Sequence, residues 1–567
     1  MNDFFAAHKR NPHFTGRKNL LEDIRAKLGA GKPVVLVGPD GFGKSQIADE
    51  WGRLRVTDYD FRLWVRADDP ANLIIEYAEL APSLGLPYNE ESDLNEAASS
   101  VRNWLEQNGR WLLVFDDAQS PEDLKDYLPK GGSGHVVITS SASVSGWNEV
   151  ASVVGVDPLD RSEAAELLRR FVERTDVPSS EALAEVLGGN PLALALAGAY
   201  IRWTGVSFSG YLDAYEEHFS SSQERNAPEV PSAVATAWGI SFEQVQAVSQ
   251  EGVDLLYLFA FLSPCDVPLD LLTKTSEIMS DALEQGFEAL FRRGLIEVNE
   301  GLPSVHPLVQ DLALYRLDEE TQKTWIEATV QALSEAFSSQ VENLDTWPEC
   351  VRLFSHALRA TEHAQRLEMG SEAASSLLNQ MGLYLHRRGY FVGAKMVLER
   401  LLAIDEKIYG ADHPEVAVDL NNLAGVLRLL GDLEGAKKGF ERAIVIEERS
   451  SEPDQLKIAV RANNLGTVLR VLGDLEGAKE NFERALSIDE RSYGPNHFKT
   501  AIRLNNLGDV FQEMGRIEKA RGTYQRALMI FQQFLGPGHR YTKLAREKLS
   551  ALPENEKKSN CVRPTPP

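Results

Sequence analysis

Residues 34–45, VVLVGPDGFGKS, run from four apolar, strand-favouring residues into a glycine-rich loop that closes on Lys-Ser. The spacing Gly38-x4-Gly43-Lys44-Ser45 is that of a phosphate-binding loop, in which glycines let successive backbone N–H groups turn inward and the following helix presents its positive end. In such a loop the lysine reaches the β- and γ-phosphates and the Ser hydroxyl ligates magnesium. Gly38, Gly41, Gly43, Lys44, Ser45 and Gln46 are therefore the expected nucleotide contacts of this stretch, with Ser45 also a metal ligand. The loop alone does not say whether the nucleotide drives repeated work or sets a switch.

Outward from the loop, short apolar runs alternate with helical patterns: KPVVLVG from 32, FRLWVRA from 61, WLLVFDD from 111, GHVVITS from 134 and ASVVGVD from 151. Strands apolar on both faces and separated by helices imply a parallel sheet covered on both sides. The strand Leu112–Phe115 delivers Asp116 and Asp117 to its end. Beside a phosphate loop, Asp116 suits the magnesium shell and Asp117 suits polarising a water near the γ-phosphate; the plain alternative is an acidic loop start. Thr139 either senses the same phosphates or simply finishes its strand.

After Asp157-Pro158 the pattern turns helical, with SEAAELLRRFVERT opening on Ser162 and a Gly-Gly-Asn-Pro-Leu-Ala turn at 188–193. From about 232 to 318 a further helical unit ends in LIEV and PSVH, which flank a turn and can pair as a hairpin. Helices followed by a hairpin imply a winged-helix module.

Beyond residue 374 the chain repeats itself with a period of 42. Asn379, Asn421, Asn463 and Asn505 recur in register, as do Gly389, Gly431, Gly473 and Gly515, Ala394, Ala436, Ala478 and Ala520, and Arg400, Arg442, Arg484 and Arg526. Such a period implies an α-solenoid of four units. Leu420, Leu423, Ala424 and Leu427 share one helix face, and the small residue lets the next helix approach closely. Asn421 and Arg428 lie on a different face, repeated by Asn463 and Arg470 and extended by Asn379 and Asn505. That row suits a peptide backbone held in a concave groove, or is simply a solvated helix face.

With 567 residues the chain is too long for one core and should form about three to five domains. Hydrophobic residues make up 43% and charged residues 25%, an ordinary globular balance. Lys and Arg number 59 against 84 Asp and Glu, a net charge of −25 that makes nucleic acid and anionic membrane poor partners. Three scattered cysteines, Cys265, Cys350 and Cys561, form neither a disulfide framework nor a zinc site. No secretory leader and no apolar span of about 18 residues is present, so the expected location is the cytoplasm.

The motifs FTGRKNLLEDI, GPDGFGKS, WLLVFDD, GHVVITS, GGNPLALALAG, SAVATAWGISFE and VHPLVQ resemble, in this order, the NB-ARC family of STAND-class signal-transduction ATPases. The repeats resemble tetratricopeptide repeats in the longer form of kinesin light chains. The resemblance implies a multidomain α/β plus α chain: a P-loop nucleotide-binding domain at 12–158, a helical subdomain at 159–225, a winged-helix subdomain at 232–320, a helical connector at 321–373, the repeat array at 374–550 and a disordered tail at 551–567. It further implies that Gly16 and Arg17 lie beside the nucleotide, that Pro191 packs on adenine and that His306 reaches the β-phosphate of ADP. Read without the family, these are a loop arginine, a turn proline and a core histidine.

Two departures from the family matter. Lys18 stands where an acid usually follows Gly-Arg, and Ser141 stands where an arginine usually ends Thr139-Ser140-x. Losing that arginine removes a partner for γ-phosphate charge, so slow turnover is expected. The resulting expectation is an ADP/ATP switch with Mg2+, in which the repeats sense a protein or peptide ligand, of acidic character to suit the arginines, and exchange drives self-assembly and signalling to a separate effector. A remodelling ATPase and a constitutive scaffold with structural nucleotide are the alternatives.

Overall fold

The computed structural model describes residues 10–88, 93–141, 144–221, 227, 230–269, 271, 280–299, 301–338 and 347–553. The tail expected to be disordered lies, beyond Pro553, outside the described residues, as does Cys561. Two compact units are present, Met1–Gly393 and Ala394–Pro567.

The first unit is built on β1 (Val34–Val37), β2 (Phe61–Arg66), β3 (Gly109–Asp116), β4 (Ser133–Ser140) and β5 (Ser152–Gly155). They pair in parallel in the order β2-β3-β4-β1-β5. Parallel neighbours need crossovers, supplied by helices such as Lys44–Leu54 between β1 and β2 and Leu94–Gln107 before β3. All four residues of β1 are buried, and on one face of the sheet Ile24 and Leu28 from the Lys18–Leu28 helix, with Ile47, Ala48 and Trp51 from the Lys44–Leu54 helix, share a core with Val34, Leu36, Leu112, Val114 and Val137. The register sets Leu36 opposite Thr139 and Arg66 opposite Asp116. The carboxyl ends of the strands thus lie side by side, where open α/β sheets bind ligands.

The helices Arg161–Val172, Val177–Val186, Pro191–Thr204 and Phe208–Ser221 follow. The first of these is capped by Asp160, which accepts from the Glu163 N–H at 2.9 Å, so the helix begins one residue before Ser162. Ser232–Gln246, Gln250–Ala260 and Ser280–Arg292 lead into the antiparallel hairpin β6 (Glu297–Asn299) and β7 (Leu302–Ser304), then Pro307–Arg316. Pro264–Val267 runs along β7, through Val267 N–H to Pro303 O at 3.0 Å and Val305 N–H to Pro264 O at 2.7 Å.

Three longer helices, Glu319–Ser338, Trp347–Arg366 and Glu372–Arg387, complete the described part of this unit up to the start of Phe391–Tyr409. The last turn before Gly389 docks on the nucleotide-fold helices. Leu94 N–H donates to Arg388 O at 2.8 Å and Asn95 Nδ2 to Gly389 O at 3.0 Å. Arg388, 1% exposed, bonds the Tyr384 and Tyr88 hydroxyls and lies 5.7 Å from each ring centroid.

In the second unit the helix pairs Pro414–Leu429 with Leu433–Arg449, Gln455–Leu472 with Leu475–Tyr493, and Phe498–Glu513 with Ile517–Leu535 pack in sequence, closed by Arg540–Ala551. Gly473 ends its helix at φ 86°, a left-handed cap that other residues enter only with strain. Asp474 then caps the next helix through the Gly477 N–H. Ala424, Ala436, Phe440, Ala462, Phe482, Ala485 and Tyr524 belong to one continuous core, the solenoid the 42-residue period implies. Ion pairs Arg461–Glu447 and Arg503–Asp489 are buried between helices. Among the described residues, no helix is long and apolar enough to cross a membrane.

Candidate functional site

At the head of the sheet β1 runs into the glycine-rich loop. Gly38 lies so close to Val156 that a Cβ would meet its carbonyl oxygen at 2.6 Å, and Gly43 takes φ 83° to open the Lys44–Leu54 helix. Lys44, 7% exposed, donates to Gly38 O at 2.8 Å, Pro39 O at 3.2 Å and Asp40 Oδ1 at 2.9 Å. An ammonium has three protons, and each has an acceptor within the loop itself.

One residue on, Ser45 Oγ donates to Asp116 Oδ1 at 2.7 Å, and Thr139 Oγ1 donates to the same oxygen at 2.6 Å. Thr139 Oγ1 also accepts the Asp117 N–H at 2.8 Å, holding Asp117 at φ 60°. A non-glycine residue in this region carries strain of about 1–3 kcal/mol and belongs to sites where the surroundings enforce it. Burial pushes the Asp116 carboxyl up, against the bonds from Thr139 and Ser45. Burial, then Asp116, Asp40 and Asp68, push Asp117 up to about 6. Ser45 and Asp116 are thus in contact and present only oxygen donors, the hard set that suits Mg2+.

Helix starts from two later segments meet the loop at Gly41. Leu192 N–H donates to Gly41 O at 3.3 Å. A Cβ on Gly41 would lie 3.3 Å from Leu308 Cδ1, 3.4 Å from Leu192 Cβ and 3.6 Å from Asn190 Oδ1. Asn190 caps the Pro191–Thr204 helix, with Pro191 as its first residue. His306 caps Pro307–Arg316, its Nδ1 accepting the Leu308 N–H at 3.1 Å. Burial pushes the His306 imidazole down to about 4, Asp40 opposing that shift and Lys44 adding to it. The histidine is therefore neutral at pH 7 and faces the loop.

The remaining sequence-derived residues divide. Arg17 donates through Nη1 to Asp157 O at 2.5 Å and through Nη2 to Phe42 O at 3.3 Å. Its guanidinium thus ties the exit of β5 to the loop. Gln46 is exposed and accepts from Asn11 Nδ2 at 3.2 Å. In the second unit Asn464 Nδ2 donates to Asn421 Oδ1 at 3.2 Å and Asn506 Nδ2 to Asn463 Oδ1 at 2.9 Å. The carbonyl oxygens of Asn421 and Asn463 therefore bridge successive repeats, while Asn505 Oδ1 is buried without a hydrogen-bond partner. Arg470 pairs with Glu513 at 2.6 Å, Arg428 is half-buried at the end of its helix and Asn505 lies one repeat on. Asn379 belongs to the first unit. Sequence reading missed Asp40, Asn190 and Leu308: Asp40 fills a variable position of the loop pattern, and the other two are adjacent to the loop only in space.

The fold and this site define a P-loop NTPase-type α/β unit followed by an α-solenoid. The tetratricopeptide repeat family matches residues 372–446 and 458–533. A nucleotide-binding leucine-rich repeat (NLR)-like protein of Hyaloscypha variabilis is 24% identical over 467 residues, covering 73% of this chain and 46% of that protein. The chain thus spans about half the length of the curated relative it matches. A solved STAND protein with a tetratricopeptide repeat sensor from Pyrococcus horikoshii aligns over 96% of this chain and 87% of its own, at 17% identity and TM-score 0.41. BtubC (BKLC) from P. vanneervenii aligns over 39% and 82%, at 20% identity and TM-score 0.29. The chain thus carries tetratricopeptide repeats in its C-terminal part and over most of its length is similar to an NLR-like protein.

Proposed function

We propose that this chain is a nucleotide-dependent switch: ADP holds the first unit closed, exchange for ATP opens it, and the open form self-assembles and engages a separate effector. The observation that carries the reading is the junction at Gly41, where the phosphate loop, the Asn190–Leu192 helix start and the His306–Leu308 helix start share one contact. A ligand at that junction touches three successive segments at once. It shifts their arrangement only through differential affinity, about 5.5 kcal/mol for a full swing from 1:99 to 99:1.

Lys44, the loop amides and Ser45 would hold the phosphates, and Ser45 with Asp116 would hold Mg2+, which when bound neutralises phosphate charge. Asp117, at the strand end, would take a proton from water, its backbone held by Thr139. Pro191 and His306 are the proposed contacts from the two later segments, and the segment 232–320 is proposed to act as a winged helix. Ser141 offers no cation, which supports slow turnover. The repeats are the proposed protein- or peptide-binding part. The row's arginines, Arg428 and Arg470, would favour an acidic partner.

The test is to measure bound nucleotide and mass by light scattering in Lys44→Ala and Asp117→Ala. A switch loses nucleotide and assembly with the first, and assembles without a trigger with the second. A remodelling ATPase loses function with both, and a scaffold changes with neither.

A further inference from the structure

We infer that Asp40 makes the phosphate loop select nucleoside diphosphates over triphosphates. The inference rests on the nucleotide-site reading above and names what that site prefers.

Asp40 occupies a variable position in Gly38-x4-Gly43-Lys44-Ser45, where the pattern demands nothing. In the structure its Oδ1 lies 2.9 Å from Lys44 Nζ, the lysine being 7% exposed and Asp40 48% exposed. The loop's own cation is thereby neutralised by the loop's own anion. Lys44 has no proton left over, since Gly38 O and Pro39 O accept the other two.

Asp40 is also close to both sides of the site. It is among the charges acting on Asp117 at the strand end and on His306 at the helix start. Near the lysine are the carboxylates of Asp40, Asp116 and Asp117, with Asp68 acting on the last two, while the Arg17 guanidinium is held by Asp157 O and Phe42 O and Ser141 adds no positive charge. Magnesium brings two positive charges to either nucleotide. The lysine reaches the β-phosphate of either nucleotide, and a triphosphate adds a γ-phosphate with one more negative charge beyond it. That charge meets the Asp40 carboxylate, which sits within ion-pair range of the lysine at the half-exposed rim of the loop, and like charges at that range repel. A diphosphate stops short of it.

The test measures dissociation constants for ADP and for a non-hydrolysable ATP analogue, both with Mg2+, by displacement of a fluorescent ADP from the full chain. The wild-type protein should bind ADP more tightly. Asp40→Asn, and independently Asp40→Ser, should narrow the ratio about tenfold, mainly by tightening the triphosphate; this is a conservative figure for a unit charge at ion-pair range. Asp23→Asn, which removes an equal charge from the Lys18–Leu28 helix, should leave the ratio unchanged. Melting of the nucleotide-free proteins checks that the variants fold. A ratio unchanged within about twofold in both Asp40 variants, or a wild-type preference for the triphosphate, overturns the inference and leaves the nucleotide site standing. If wild-type protein binds neither nucleotide, the site reading fails and this inference falls with it.

Discussion

Asp419 and Asp405 stand one repeat before two buried ion pairs. Advancing by 42 residues turns them into Arg461 and Glu447, and by 42 more into Arg503 and Asp489. Both aspartates are 4% exposed, and Asp419 shares a hydrogen bond with Asp405 where the later repeats have an arginine. Burial, then Asp405 and then Glu415, raise the Asp419 carboxyl well above the usual carboxylate range. A group whose folded-state pKa is raised contributes stability that is full below its unfolded pKa, about 3.9, and is lost as pH climbs toward the folded value. At pH 7 the penalty approaches 1.36 kcal/mol for each unit between 3.9 and 7, a ceiling of about 4 kcal/mol. Asp419→Asn keeps a donor for Asp405 and removes the penalty. It should stabilise the helices Phe391–Tyr409 and Pro414–Leu429 by about 1–4 kcal/mol at pH 7 and by less than about 1 kcal/mol at pH 4.5. Hydrogen exchange of peptides from these helices, corrected for intrinsic rates at each pH, reads the difference locally. A gain that is absent, or equal at both pH values, would refute the shared-proton reasoning.

Other perturbations test other links. Arg461→Ala leaves Glu447 buried without its cation and should cost the array about 3–5 kcal/mol in urea unfolding, whereas Arg461→Met with Glu447→Leu should recover most of it. Gly389→Ala would place a Cβ 1.7 Å from Asp93 Oδ2 at φ 73°; it should cost about 1–2 kcal/mol from backbone strain alone. It should also speed exchange at the Leu94 amide, which bonds Arg388 O. With Asp117 pushed up to about 6, a deprotonated base is available only above that pH. Hydrolysis, followed as kcat/KM, should therefore fall tenfold per unit below about pH 6, and Asp117→Asn should abolish it while retaining bound nucleotide.

The strands were readable because a parallel strand buried on both faces needs an unbroken apolar run, as in Val34–Val37 and Leu112–Phe115. The repeats were readable because each must present the same face to its neighbour, so Asn421, Gly431 and Ala436 recur at a fixed distance. The Asp160 cap lies two residues before Ser162, where the helical pattern opens in the sequence, since Asp and Ser compete for the same role with little local signal. Arg17 was placed beside the nucleotide by resemblance, but only the fold reveals that its guanidinium links Asp157 O with Phe42 O.

The sequence by itself determined the glycine-rich loop, the strand-end acids and the period of the solenoid, because local backbone geometry and side-chain periodicity impose them. Tertiary structure decided which segments meet at Gly41, that Arg388 is enclosed against Tyr88 from 300 residues away, and that two aspartates share a site where later repeats hold an ion pair. Those outcomes depend on contacts between elements far apart in the chain. Their energies come from mutual burial, and burial leaves no pattern in either segment alone.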